Sequence, residues 1–275
     1  MSDYPRTTWR LLRSPPADGA TNMAVDEAIL RAVATRQVPP TLRFYAWEPA
    51  CLSLGRAQTA ADVDLEALRA AGFDLVRRPT GGKAILHVDE LTYSVVAPQD
   101  DPRVAGDIVE SYRRLSAGLL RGLERLGVAG LAADRQKPLP RFGVAGGGNG
   151  PVCFEVPSDY EITAGGRKLV GSAQMRTRSV ALQHGALPLY GDLTRICPLL
   201  TAYPDPARVR ARATTVEEAL GRSVTWDEAA DALAAGYAEA LNLHLEPGTL
   251  TGEERVRAEE LRATKYAMDK WTHRV

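Results

Sequence analysis

Residues 151–174 read PVCFEVPSDYEITAGGRKLVGSAQ. Two strand-like runs, DYEIT and RKLVGSAQ, flank Ala164-Gly165-Gly166. A glycine pair supplies the left-handed backbone of a tight turn, so the stretch predicts a β-hairpin. SVALQHGALPL (179–189) predicts a further strand. Strands joined by short turns point to antiparallel sheet, and the rest of the chain shows what packs on it.

Upstream, TLRFYAWEPACLSLGRAQ (41–58) predicts two strands joined at Glu48-Pro49-Ala50. FDLVRRPTGGKAILH (73–87) repeats strand–turn–strand around Thr80-Gly81-Gly82, and LTYSVVAP (91–98) predicts another strand. Helices intervene. Residues 21–37 carry Met23, Val25, Ala28, Ile29 and Ala32 at helical spacing, with Thr21 or Asn22 as cap. Residues 61–72 predict a short helix closed by Gly72. Residues 106–127 predict a longer one, with Ile108, Tyr112, Leu115, Leu119, Leu123 and Leu126 on one face and Gly127 ending it. AADRQKPLPRFGVAGGGNG (132–150) reads as a loop. Beyond residue 204, Thr215…Glu218, Thr225…Glu228 and Thr251…Glu254 each have capping-box spacing. The expectation is an α+β fold of largely antiparallel sheets with flanking helices. Residues 1–204 are expected to form this α+β domain, and 205–275 a helical C-terminal extension packed on it.

Composition narrows the function. The 275 residues are 45% hydrophobic and 25% charged, enough for a sizeable core. Lys+Arg and Asp+Glu are 34 each, which gives no support to a broad nucleic-acid-binding face. Cys51, Cys153 and Cys197 are odd in number and lack CxxC spacing, so they read as free thiols in a reducing compartment. The four histidines form no metal motif, and no metal site is expected. No signal-peptide core and no apolar run of about 18 residues occurs. The expectation is a cytoplasmic protein acting neither on nucleic acid nor in a membrane.

Two clusters can carry chemistry. In RRPTGGKAILH, glycines let backbone N–H groups approach a ligand, and Arg77 and Arg78 suit an anion. The motif is neither a P-loop nor GxGxxG, and a plain hairpin with solvated arginines fits it as well. The second cluster is Cys153 with Lys168. Cys153 fits a small buried hydrophobe or a nucleophile that needs help to ionise. Lys168 fits a solvated hairpin lysine or an ammonium that favours the thiolate. Gly171-Ser172-Ala173 leave room for a ligand, and His184 is a structural histidine or an acid–base group.

RRPTGGKAILH, GRKLVGSAQ and LQHGALPL together resemble the shared motifs of the lipoate-protein ligase and octanoyltransferase superfamily, which has the fold of biotin-protein ligase. The likeness runs from about Asn22 to Leu189 and more loosely through LRATKYAMDKWTHR (261–274). A cysteine, a PSxYE segment and then GRKxxGSAQ, with cysteine before lysine, are similar to the octanoyltransferases of ligase-like sequence, the LipM type. One departure is TGGK where many relatives have TGGR or TGGG. The resemblance implies Cys153 as acyl-thioester nucleophile and Lys168 as its activator. It implies an acyl-substrate site lined by Arg77, Arg78, Thr80, Gly81, Gly82 and His87, with Gly171, Ser172 and Ala173 opposite and His184 and Gly185 in a shared motif. It implies transfer of octanoyl from octanoyl-acyl carrier protein to a lysine of lipoyl domains of 2-oxoacid dehydrogenases or of the glycine-cleavage H protein. No cofactor is expected, and the protein is expected to be a monomer. The alternatives are an ATP-dependent lipoate ligase, an amidotransferase using octanoylated H protein, and an inactive binding module.

Overall fold

The computed structural model describes residues 4–134 and 161–274. The strands are β1 (Thr7–Arg13), β2 (Thr41–Tyr45), β3 (Cys51–Leu54), β4 (Asp74–Arg77), β5 (Ile85–His87), β6 (Glu90–Pro98), β7 (Leu131–Asp134), β8 (Glu161–Ala164), β9 (Arg167–Arg176), β10 (Val180–Pro188) and β11 (Leu243–Gly248). The helices are α1 (Gly19–Ala34), α2 (Leu65–Ala70), α3 (Ile108–Leu126), α4 (Pro206–Arg212), α5 (Val216–Leu220), α6 (Trp226–Ala240), α7 (Gly252–Leu261) and α8 (Asp269–Thr272).

Eight strands form one sheet in the order β11-β1-β2-β6-β10-β9-β8-β7, and three form a second, β4-β3-β5. Six of the nine described pairings are antiparallel. The expected α+β fold of largely antiparallel sheets with flanking helices is the one observed. Strand alternation divides the large sheet between two cores. Phe44, Val95 and Ala181 join Trp9 and the buried leucines of α3 and α6. Their neighbours Tyr45, Val96 and Leu182 point the other way, to Met23 and Ile29 of α1. With both faces covered, every residue of β6 from Glu90 to Ala97 is buried, the polar Glu90, Thr92 and Ser94 included.

The hairpin that predicted the fold is present. β8 and β9 are joined by Gly165 (φ 55°) and Gly166 (φ 78°), a conformation that residues with a Cβ resist. Other expectations shift. α1 starts earlier than expected because the Asp18 carboxylate, not Thr21 or Asn22, caps it by accepting from Thr21 N at 2.6 Å. β2 and β3, joined at Glu48-Pro49-Ala50, lie in different sheets, so the turn moves the chain from one layer to the next. β4 and β5 flank the glycine turn without pairing with each other, because β3 lies between them. Ile108 is 52% exposed at the first turn of α3, while Leu115, Leu119, Leu123 and Leu126 are buried as expected. Leu131–Asp134, most of it read as loop, pairs with β8. Beyond residue 204 the chain is mainly helical, and Thr251–Glu254 closes a full capping box. The same region carries β11, which pairs in parallel with β1 as an edge of the large sheet.

Candidate active site

The glycine turn is shaped by one of the two arginines that precede it. Arg78 curls beneath it, donating from Nη2 to Gly81 O (2.9 Å) and Lys83 O (2.7 Å) and from Nη1 to Ser53 O (3.0 Å). Arg77 points elsewhere. It is fully buried and donates to Gly55 O (2.8 Å), Gln58 O (2.5 Å) and Thr272 O (2.7 Å). It therefore ties the 55–58 loop to the C-terminal helix instead of facing a substrate. A Cβ on Gly55 would lie 1.9 Å from Gly82 O, so the two loops touch backbone to backbone. Gly81 and Gly82 are exposed at the tip.

β9 supplies the opposite wall. Thr163 pairs with Lys168 and Ile162 with Val170, so β9 carries one extra residue between them. The bulge sends both Leu169 and Val170 into the core, and turns Lys168, Gly171 and Ala173 to the opposite face. Alternation carries Ser172 away from that face, to the Tyr93 hydroxyl at 2.7 Å. Lys168 is 4% exposed, and its Nζ donates to Glu161 Oε1 at 2.7 Å.

Between the walls lies a small cavity of about 20 Å³, lined in part by Arg78, His87, Gly171, Ala173, His184 and Gly185. That is room for roughly one water molecule. Of the sequence-predicted residues, these six meet at the cavity. Thr80 reaches it through His184, with Oγ1 2.6 Å from Nε2. Arg77, Gly81, Gly82, Lys168 and Ser172 do not line it. Cys153 and the 136–150 loop lie outside the described residues. A wider groove of about 910 Å³ lies on the other side of Trp47, between Pro15-Pro16 and the start of α6. None of the predicted residues lines it.

Each of the two cavity histidines is held by a carboxylate that sequence reading missed. His184 Nδ1 donates to Asp26 Oδ2 at 3.2 Å. Burial pushes the His184 imidazole below its ordinary pKa despite Asp26, so at neutral pH it is uncharged and Nε2 accepts from the Thr80 hydroxyl. Burial alone would raise the Asp26 carboxyl, but Arg43 (2.7 Å) and His184 more than offset it and hold its pKa low. Tyr45 and Ser94 hydroxyls also donate to Asp26, at 3.0 and 2.9 Å. His87 donates from Nδ1 to Glu90 Oε1 (2.8 Å), meets Ser53 Oγ at 2.7 Å, and stacks on Trp47 at 4.0 Å. Asp26 left one trace in the sequence, a carboxylate within the apolar stripe of α1.

Chemically, this is a small cavity with hydrogen-bonding groups on its walls and an ammonium withdrawn from water on one strand face. Among the described residues, no three metal-ligating side chains cluster, and no helix is long and apolar enough to cross a membrane.

The sequence profile of the lipoyl protein ligase A/B catalytic domain matches residues 18–238. The octanoyltransferase LipM of Kyrpidia tusciae is 46% identical over 275 residues, covering 97% of this chain and 99% of its own. That of Bacillus subtilis is 38% identical over 278 residues, covering 98% of this chain and 99% of its own. A crystal structure of lipoate-protein ligase A bound with ATP superposes with a TM-score of 0.80 at 28% identity, covering 97% of this chain and 99% of that one. With the motifs, the fold and near-full-length likeness in agreement, the chain belongs to the lipoyl protein ligase A/B catalytic-domain family, in its LipM octanoyltransferase branch.

Proposed function

We propose that this protein transfers an octanoyl group from octanoyl-acyl carrier protein to a lysine of a lipoyl domain or of the glycine-cleavage H protein, through a thioester on Cys153. The observation that carries the reading is Lys168. It is almost wholly withdrawn from solvent, on the strand face that presents Gly171 and Ala173 to the cavity. The length and identity of the likeness to LipM octanoyltransferases support the substrate class.

In the proposed reaction, the Cys153 thiolate attacks the thioester carbonyl of the donor. A new C–S bond forms, the old one breaks, and the carrier thiolate leaves and takes up a proton. The amine of the acceptor lysine then attacks the acyl-enzyme. A C–N bond forms, Cys153 sulfur departs, and the proton lost by nitrogen passes to solvent or to the thiolate. Two acyl transfers through a covalent intermediate replace one slower step. Exchange between thioesters is nearly balanced, and the amide product draws the sequence forward without ATP. The Lys168 ammonium supplies positive charge beside the developing thiolate. Burying the octanoyl tail contributes about 5 kcal/mol at ~0.8 kcal/mol per methylene. The tail needs far more room than one water, so the cavity walls part as it enters.

The test incubates wild-type protein and Cys153→Ala with apo-lipoyl domain and one donor at a time, octanoyl-acyl carrier protein, octanoylated H protein or free lipoate, each with and without ATP. The expected result is an octanoyl adduct on wild type alone, seen by intact mass, and ATP-independent octanoylation of the domain. Equal transfer by the variant overturns the mechanism. Transfer that requires ATP and free lipoate favours the ligase reading, which the likeness to an ATP-bound ligase keeps in view. Activity only with octanoylated H protein as donor identifies an amidotransferase.

A further inference from the structure

The ammonium of Lys168 does not stand alone on its strand. Glu161, on the neighbouring strand β8, shares its face, and the two charges meet at 2.7 Å with side chains 7% and 5% exposed. After the bulge Ile162 pairs with Val170, so alternation puts Glu161 and Gly171, a wall of the cavity, on the face opposite these two core residues. Carboxylate, ammonium and cavity wall are thus set on one face by main-chain pairing. The backbone holds Lys168 from the other side as well, since its carbonyl accepts from Thr214 N at 3.0 Å, just past α4. Two neighbours among the described residues meet at Glu218. Arg167 pairs with Glu218 at 2.7 Å, and the Thr214 hydroxyl donates to the same Glu218 carboxylate at 2.9 Å.

A lysine stem has four rotatable bonds, and a strongly hydrated ammonium at its end tends to swing toward water. A buried carboxylate at hydrogen-bond distance removes that freedom. We propose that Glu161 is a positioning residue for acyl transfer: it fixes the Lys168 ammonium on the cavity face, where the reaction develops negative charge. The inference rests on the acyl-transfer reading above and adds a residue to it.

Two effects of Glu161 oppose each other, and they differ in sign. As a counter-charge it weakens the field of the ammonium, and removing it would make a neighbouring thiol more reactive. As an anchor it keeps the ammonium in place, and removing it would make the thiol less reactive. A buried lysine that loses its anchoring carboxylate loses direction, so the geometric effect dominates.

The experiment uses the full chain as wild type, Glu161→Gln and Glu161→Asp, with Cys153→Ala as the blank, since Cys51 and Cys197 are buried. Thiol alkylation is followed against pH, acylation by octanoyl-acyl carrier protein by intact mass, kcat and KM in steady state, and folding by thermal melting. For Glu161→Gln, alkylation and acylation are expected to slow at least about tenfold with KM for the donor little changed. The alkylation midpoint is expected to move to higher pH, and Glu161→Asp to recover most of the rate. A Glu161→Gln protein that is as reactive as wild type, or more so, overturns the proposal. So does a rate loss that only tracks the melting temperature in both variants. If wild type itself forms no adduct, it is the acyl-transfer reading that fails, which separates the two.

Discussion

Arg77 and Arg78 are adjacent in sequence and opposite in task. Strand alternation sends Arg78 to the cavity wall and Arg77 to the joint between the 55–58 loop and Thr272. A dipeptide that reads as one anion site is thus one site residue and one staple. The histidines show a similar division, because each owes its orientation to a carboxylate remote in sequence or just beyond its strand. His184 also makes a testable contribution to stability. Its folded pKa lies below the ordinary 6.5, so on acidification the unfolded chain takes up a proton that the folded protein refuses. The resulting stability is fully present above pH 6.5 and is lost as pH falls from there through the folded value. Melting temperature followed from pH 7 to about 5 should therefore fall more steeply for wild type than for His184→Gln. Parallel curves would show that this imidazole does not couple folding to protons in that range.

At the scale of elements, the legible features were those whose cause is local. Gly165-Gly166 announced the β8–β9 turn, the Leu115–Leu126 stripe announced α3, and Thr251 with Glu254 announced the start of α7. Pairing partners were not legible, because they depend on surfaces far apart in the chain. Nothing near Cys51 says that β3 will insert between β4 and β5, and nothing near Thr7 says that β1 will pair with a strand beginning at Leu243. The site divides the same way. Arg78, His87, Gly171, Ala173 and His184 could be named from short motifs, whereas Asp26, Glu90 and Trp47 gain meaning only when α1, β6 and the β2–β3 turn converge. The contact between the Gly55 loop and the glycine turn belongs to this non-local class. In Gly55→Ala the new methyl meets a backbone carbonyl that cannot rotate away, so the turn itself must move. The expected cost is about 2–3 kcal/mol by urea denaturation, together with a raised KM for the octanoyl donor. Unchanged stability and KM would mean that the turn tolerates displacement and that its close packing is incidental.

For the whole molecule, the question is how residues beyond 204 are bound to the rest. β11 extends the sheet, and α6 buries Leu233 and Tyr237 in the core that also holds Leu119 and Leu123. A third tie is ionic. Arg10 on β1 meets Glu254 on α7 through paired bonds of 2.7 and 2.6 Å, with side chains 9% and 1% exposed. Burial alone would raise the Glu254 carboxyl, but Arg10 and the Thr251 amide hold its pKa below the ordinary value. Such a pair is costly to break and less costly to replace, because most of the loss comes from stranding one charge away from water. Glu254→Gln should therefore lower stability by about 3 kcal/mol. Arg10 retains Thr41 Oγ1 and Thr249 O as acceptors, which places the cost near the lower end for a broken buried pair. The double variant Arg10→Met, Glu254→Leu should recover most of that loss, since an apolar pair of similar volume carries no stranded charge. Urea midpoints of the single variants Arg10→Met and Glu254→Leu and of the double variant decide the matter. Additive losses would mean that the two side chains stabilise the fold independently, and that the ionic contact does not couple α7 to the sheet.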